Sequence, residues 1–321
     1  MLDFSETDRL PFNHATKVKE KMATVVSFIN FKGGVGKTTL SVEIAASLYK
    51  RFNSRVLMID LDPQSNSTLY WLNEADWEKH INSAGTLLSF FEACLEDKPF
   101  DLSTIVATPT RFAKSPWYQK FDVKLNRGIK LLPSDMQLFG VDLKLAQRFG
   151  FENPKAQLFL KKALAALDSQ YDFIFIDCPP NLYLGTQNGL FASNYYVVVA
   201  MAEYLSTLGI AHIQASINSV FASANSIIGA VTFKKPVLAG IVFNKVRYVA
   251  GGTQSQNDYM TRIRAKYPGE VFKSYVSQSD KIAQRPAQSE PIALSDYAAD
   301  QKYAEQIHAV TEEFYERITR P

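Results

Sequence analysis

Phe31-Lys32-Gly33-Gly34-Val35-Gly36-Lys37-Thr38-Thr39 follows the β-branched run Thr24-Val25-Val26-Ser27-Phe28-Ile29, and this succession of strand, glycine-rich turn and Lys-Thr pair decides the fold. It is the pattern of a phosphate-binding loop that leaves a strand and opens a helix. Glycines at 33, 34 and 36 let backbone N–H groups close on phosphate oxygens with no Cβ in the way. Lys37 reaches for the terminal phosphates, the Thr38 hydroxyl is a Mg²⁺ ligand by type, and Val35 and Thr39 complete the cradle. The helix opening near Gly36 adds its positive end to that field. A turn that merely joined strand to helix would explain the glycines but not Lys37-Thr38.

Two further segments fall where a doubly wound sheet places its functional ends. Arg55-Val56-Leu57-Met58-Ile59-Asp60-Leu61-Asp62-Pro63-Gln64 is a short apolar strand ending in two carboxylates spaced by two, which puts both on one side of its C-terminal tip. Phe173-Ile174-Phe175-Ile176-Asp177-Cys178-Pro179-Pro180 is an apolar run ending in an acid and two prolines, the form of a buried parallel strand with a carboxylate at its end. This is the Walker B position, from which Asp177 would hold Mg²⁺ through water. Taken alone, the Asp60-Asp62 segment also reads as a solvated turn stopped by Pro63.

The ordinary loop asks for glycine at position 31, where this chain has Phe31, and Lys32 brings a second lysine into the turn. The run K-G-G-V-G-K-T-T resembles the deviant phosphate loop of the ParA/MinD superfamily, ATPases that partition DNA or position cell-division and other cargo. The segments V-L-M-I-D-L-D-P-Q and D-C-P-P are similar to that family's as well. The resemblance implies an ATPase that uses ATP and Mg²⁺, forms a homodimer when ATP is bound, and has its hydrolysis stimulated by a ParB-like or adaptor protein. It implies that Lys32 reaches across a nucleotide-sandwich dimer to the partner's phosphates. It also implies that Asp62 positions the attacking water, while Asp60 supports the loop and the Mg²⁺ shell. The fold implied is α/β: a doubly wound, mostly parallel sheet with helices on both faces.

Composition agrees. A chain of 321 residues with 46% hydrophobic content is long enough for a large core. Its two cysteines, Cys94 and Cys178, make neither a disulfide framework nor a C-x-x-C metal site, and Cys178 reads as a buried packing residue. No apolar run approaches the roughly 20 residues of a membrane span, and Met1 to Asp8 carries acids with no apolar signal core, so a cytoplasmic protein is expected. Residues 1–22 read as a short extension, too small for a helix-turn-helix module, and residues 23–321 as the ATPase domain.

Leu40, Ile44 and Leu48 mark a core-facing helix after the loop. A second helix is expected over Pro154 to Gln170, capped by Asn153 and carrying Leu160, Leu164 and Leu167. With Tyr195–Ala200 and Val237–Phe243 as further strands, at least five parallel strands are expected. Residues 111–124, aromatic and basic, read as an insertion: a surface loop, or a contact for an adaptor or nucleic acid.

At the base end, Asn244 closes the strand Gly240 to Phe243. Its amide could pair with adenine bidentately, or it could simply turn the chain. From Val231 to Glu290 there are ten Lys/Arg against four acids, a surplus of six in a chain whose net charge is +3. Such a surplus suits non-specific contact with the DNA backbone, and Arg262, Arg264, Lys266, Lys281 and Arg285 are the candidates. An ordinary solvated helix would show a similar excess. The family's P-R-N loop appears here as Ser277-Gln278-Ser279. The final helix, Lys302 to Ile318, carries the stripe Tyr303, Ile307, Val310, Phe314 and Ile318 on an acidic background. That stripe suits packing on the sheet, whereas a membrane anchor would be basic, so a membrane-cycling role is the weaker alternative. A metabolic P-loop enzyme is another. The expected location is the cytoplasm, with the nucleoid as a matrix.

Overall fold

In the computed structural model, residues 22–111, 128–150, 152–228, 232–247, 254–288 and 290–319 are described. The extension at 1–21 and the insertion beyond Arg111 lie outside the described residues. Seven strands form one sheet: β1 (Thr24–Ile29), β2 (Val56–Asp60), β3 (Ile129–Leu132), β4 (Phe173–Asp177), β5 (Tyr195–Ala200), β6 (Val237–Val246) and β7 (Val271–Ser277). Their order is β3-β2-β4-β1-β5-β6-β7, and every neighbouring pair is parallel. The runs that read as strands in the sequence are β1, β2, β4, β5 and β6; the run from Ile129 to Pro133, which also reads as a strand, is β3 at one edge, and β7 completes the other.

Both faces of the sheet are buried, which is why its strands read as continuous apolar runs. On one face Val26, Phe28, Met58, Phe175, Val197 and Val199 pack in one cluster with Ile44 and Leu48 of α1 (Lys37–Phe52). On the other, Val25, Ile59, Ile174 and Ile176 form a second cluster and Ile29, Val198, Ile241 and Phe243 a third. Intervening helices are α2 (Asn66–Trp71), α3 (Glu74–Ser83), α4 (Leu87–Leu95), α5 (Val141–Phe149), α6 (Pro154–Gln157), α7 (Phe159–Leu164), α8 (Leu184–Ala192), α9 (Tyr204–Ile228), α10 (Gln254–Lys266) and α11 (Asp280–Gln288). The chain ends in α12 (Gln301–Thr319). Its stripe packs as expected: Ile307, Val310, Phe314 and Ile318 are buried in the α1-side cluster, with Tyr303 against it, and the Phe52 and Tyr315 rings stack at 4.3 Å. No helix among the described residues is long and apolar enough to cross a membrane.

The expected helix over Pro154 to Gln170 is corrected. Asn153 caps it as foreseen, accepting from Lys155 N at 2.9 Å with Pro154 at the first position, but it stops at Gln157 and restarts at Phe159. The cause is Asn188 of α8. Its Oδ1 accepts from Leu160 N at 3.0 Å and its Nδ2 donates to Ala156 O at 2.8 Å. In a continuous helix those two backbone groups would bond each other, so the inserted amide separates the turns.

Candidate nucleotide-binding site

β1 lies at the sheet's centre, between β4 and β5, so the chain leaves its C-terminal tip where crossovers diverge to either side. Ligands of open parallel sheets bind in that crevice. The loop from Phe31 to Gly36 fills it and runs into α1. Gly34 and Gly36 have φ of +76° and +86°, and a Cβ at Gly36 would stand 2.3 Å from Asn244 Nδ2. Only glycine serves at position 36, on both backbone and steric grounds. Cβ atoms added at Gly33 or Gly34 would meet nothing within 4 Å, so these two positions border open space large enough for an anion.

Side chains from neighbouring strands hold the loop. Asn244 Nδ2 donates to Val35 O at 3.0 Å and to Gly36 O at 3.4 Å, and Lys245 Nζ to Gly34 O at 2.7 Å. Three carbonyls that would repel an anion are thereby engaged. Lys245 adopts a left-handed φ of 56°, a strained conformation for a residue with a Cβ, costing about 1 kcal/mol. On the other flank, Lys32 N donates to Asn30 Oδ1 at 2.8 Å while Asn30 Nδ2 reaches Val199 O at 2.7 Å.

A cavity of about 580 Å³ opens over the loop, lined by Gly33, Gly34, Lys37, Thr38 and Asp62 together with Pro180, Arg111 and Lys245. Lys37 is buried; desolvation lowers its pKa, and the charges of Asp177 and Asp62 oppose that shift. Asp177 is fully buried, and neither of its carboxylate oxygens has a hydrogen-bond partner. Burial pushes its pKa up, against the pull of the neighbouring Thr38 hydroxyl and of Lys37. An orphaned acceptor pair beside Lys37 and the Thr38 segment fits a hydrated divalent cation, and the open glycine cradle fits the phosphates it would accompany.

Asp60 sits beside Asp177 in the β2–β4 register, but its oxygens are engaged. Oδ1 accepts from Asp62 N at 3.2 Å, and Oδ2 accepts from both Thr68 N and Thr68 Oγ1 at 2.7 Å. Burial and the neighbouring Asp177 charge raise its pKa well above the usual carboxylate range. The geometry therefore gives Asp60 a positioning role, anchoring α2, and leaves Asp177 as the carboxylate free to face a cation. Asp62 lines the cavity, its Oδ1 accepting from Gln64 N at 3.0 Å and its carbonyl from Ser134 Oγ at 2.8 Å.

Two expectations are corrected here. Asn244 is 5% exposed and is absent from the cavity lining; its amide clamps the loop and is not presented to a base. Arg285 is buried too, bonded to the carboxylate of Asp300, so it is an internal ion pair and not a DNA contact. The other basic candidates divide. Arg262 and Lys266 are exposed on α10, Arg264 reaches the carbonyls of Phe272 and Lys273 at 3.4 and 3.1 Å, and Lys281 donates to Ala299 O at 2.7 Å. Lys32 does not line the cavity above its own loop; its ammonium is bonded to Glu203.

Some residues of the site had no motif to announce them. Glu43 interrupts the apolar face of α1, fully buried, and accepts from Tyr70 Oη, Ile292 N and Ala293 N, each at 2.9 Å. It ties the cavity wall at Tyr70 to the segment before α12. The sequence signal was a lone acid between Val42 and Ile44.

A family model described as an AAA domain matches residues 23–229, well over half of the chain and all three of the motifs that line the cavity. The chain belongs to the ParA/MinD superfamily. It is 26% identical to the sporulation initiation inhibitor protein Soj of Bacillus subtilis over 275 residues, covering 86% of this chain and 92% of Soj. It is 26% identical to the chromosome partitioning protein ParA of Myxococcus xanthus over 272 residues, covering 85% of this chain and 81% of that protein. The fold matches the ATP complex of a McdA variant from Cyanothece with a TM-score of 0.68 at 18% identity, over 93% of this chain and 97% of McdA.

Proposed function

We propose that this chain is a Mg²⁺-dependent ATPase that dimerises on binding ATP and, through partner-stimulated hydrolysis, partitions or positions DNA or another cytoplasmic cargo. The observation that carries this reading is the division of labour between the two loop lysines. Lys37 is buried in the cavity beside Asp177 and Asp62, whereas Lys32 points out of it, 38% exposed, at the rim. A lysine so placed serves its own phosphates poorly and a facing copy's well. Bound Mg²⁺ would neutralise charge on the transferring phosphate. The loop amides and Lys37 would grip the phosphates, Thr38 and Asp177 would hold the cation shell, and Asp62 would orient the attacking water.

For the matrix, the reading favours DNA: Arg262 and Lys266 remain exposed in the basic stretch, while the apolar stripe of α12 is buried, so α12 has no apolar face to give a membrane. The stimulating partner would be ParB-like or a cargo adaptor. The test compares two alanine variants by nucleotide titration and light scattering. Lys37→Ala is expected to abolish ATP binding; Lys32→Ala is expected to keep it and lose the ATP-dependent dimer. A Lys32→Ala chain that still dimerises with ATP would remove the sandwich from the proposal.

A further inference from the structure

The contact that takes Lys32 out of its own cavity comes from a residue with no assigned role. Glu203 follows β5, two residues after Met201, whose carbonyl accepts from Glu203 N at 2.8 Å. β5 and β1 are adjacent, and the Asn30 bridge to Val199 fixes the spacing of their C-terminal ends. The same Asn30 holds Lys32 N. These three bonds set the lysine's backbone and the end of β5 side by side, and the Lys32 ammonium bonds the Glu203 carboxylate across the gap. Both side chains are partly open to solvent, at 38% and 40%. Such a pair is weak and exchangeable, because water and salt screen it.

We infer that Glu203 is a positioning residue for Lys32: it holds the lysine within its own subunit until a second copy presents a triphosphate, and it sets how much nucleotide is needed for pairing. The inference rests on the cross-subunit role proposed for Lys32. In the dimer, Lys32 exchanges one carboxylate for phosphate oxygens, which carry more charge and more acceptors. Glu203 then gives up its bond to the Lys32 ammonium. Breaking that bond is a cost set against pairing, so removing the Glu203 charge favours the dimer. In a symmetrical dimer the exchange happens twice, and its effect enters as a square.

The experiment measures dimer dissociation of the full chain by analytical ultracentrifugation, with Mg²⁺ and a slowly hydrolysed ATP analogue. Glu203→Gln is expected to tighten the dimer by ~1.5- to 5-fold per site, or ~2- to 25-fold over both. That gain is expected to shrink as salt rises from low to high. Glu203→Asp, which keeps the charge, is expected to restore the wild-type requirement. A merely structural role would loosen the dimer on substitution, so the direction of the change is diagnostic. A Glu203→Gln dimer no tighter than wild type, or weaker, overturns the inference. If the wild-type chain does not pair with the analogue, or Lys32→Ala pairs as well as wild type, it is the sandwich reading that fails. Nucleotide affinity, measured at protein concentrations below dimerisation, is expected to be unchanged in Glu203→Gln.

Discussion

Asn244 shows how one side chain can be right in place and different in purpose. Its position at the end of β6 beside the loop was expected, but its amide donates to Val35 and Gly36 carbonyls. Asn244→Ala is therefore expected to weaken ATP and GTP by a similar factor, since loss of the clamp costs about 1–2 kcal/mol of loop preorganisation whatever the base. Titration with both nucleotides decides: a change in the ATP:GTP ratio would restore the base-reading role. The two carboxylates of the site separate in the same way. Asp62→Ala is expected to bind ATP and dimerise while turning over at least 100-fold more slowly, by the usual ~10²–10⁴ contribution of a positioned proton-transfer or water-orienting group. Asp177→Ala is expected to weaken Mg²⁺-dependent binding itself. Single-turnover hydrolysis set beside Mg²⁺ titration of binding distinguishes them.

Among the elements, the break between α6 and α7 depends on Asn188, whose amide satisfies two buried backbone groups. Asn188→Leu is expected to destabilise the chain by about 2–4 kcal/mol, measured as a fall in the urea midpoint, because a donor and an acceptor lose their partners. The α1–α12 contact carries a pH dependence. His308 Nδ1 lies 2.7 Å from Ser47 Oγ; burial, with the nearby charges of Lys50 and Arg51, lowers its pKa from 6.5 to about 4. Below pH 6.5 the unfolded chain takes up this proton before the folded one does. The stabilising contribution is therefore full above pH 6.5 and declines as pH falls towards 4. Discounted for partial exposure, it amounts to about 2 kcal/mol. His308→Asn is expected to show a shallower loss of stability than wild type across that window, measured by chemical denaturation at each pH.

Across the whole molecule, the surplus of positive charge between Val231 and Glu290 is not one surface. Arg285 neutralises Asp300 in the interior, and Arg264 caps carbonyls of β7. Lys234, Arg247 and Lys273 are exposed elsewhere in the stretch, while Arg262 and Lys266 are exposed together on α10. If the ATP-bound dimer uses them on duplex DNA, Arg262→Ala with Lys266→Ala is expected to flatten the log–log salt dependence of binding by roughly one unit per lost phosphate contact. Arg285→Ala is expected instead to lower thermal stability, since it leaves buried Asp300 with only the more distant ammonium of Lys281, 3.9 Å away. Fluorescence anisotropy over a salt series, with thermal melts of both variants, separates the two effects.

The sequence by itself determined the sheet and the position of its site. Phosphate chemistry demands glycines, lysine and threonine at fixed offsets, and fully buried parallel strands must be apolar runs, so the loop, Asp62, Asp177 and β1, β2, β4 and β5 were all legible in the linear order. Periodicity likewise foretold the buried stripe of α12. What the tertiary structure decided is which polar groups were already engaged. Thr68 claims Asp60, the loop carbonyls claim Asn244, Asp300 claims Arg285, Glu203 claims Lys32 and Asn188 parts α6 from α7. Hydrogen bonding and ion pairing act over about 3 Å in space with no regard for distance along the chain, and each of these pairs except Asp60 with Thr68 joins residues at least 15 positions apart. No local pattern records such a meeting, so the residue types announced the chemistry and only the fold assigned the partners.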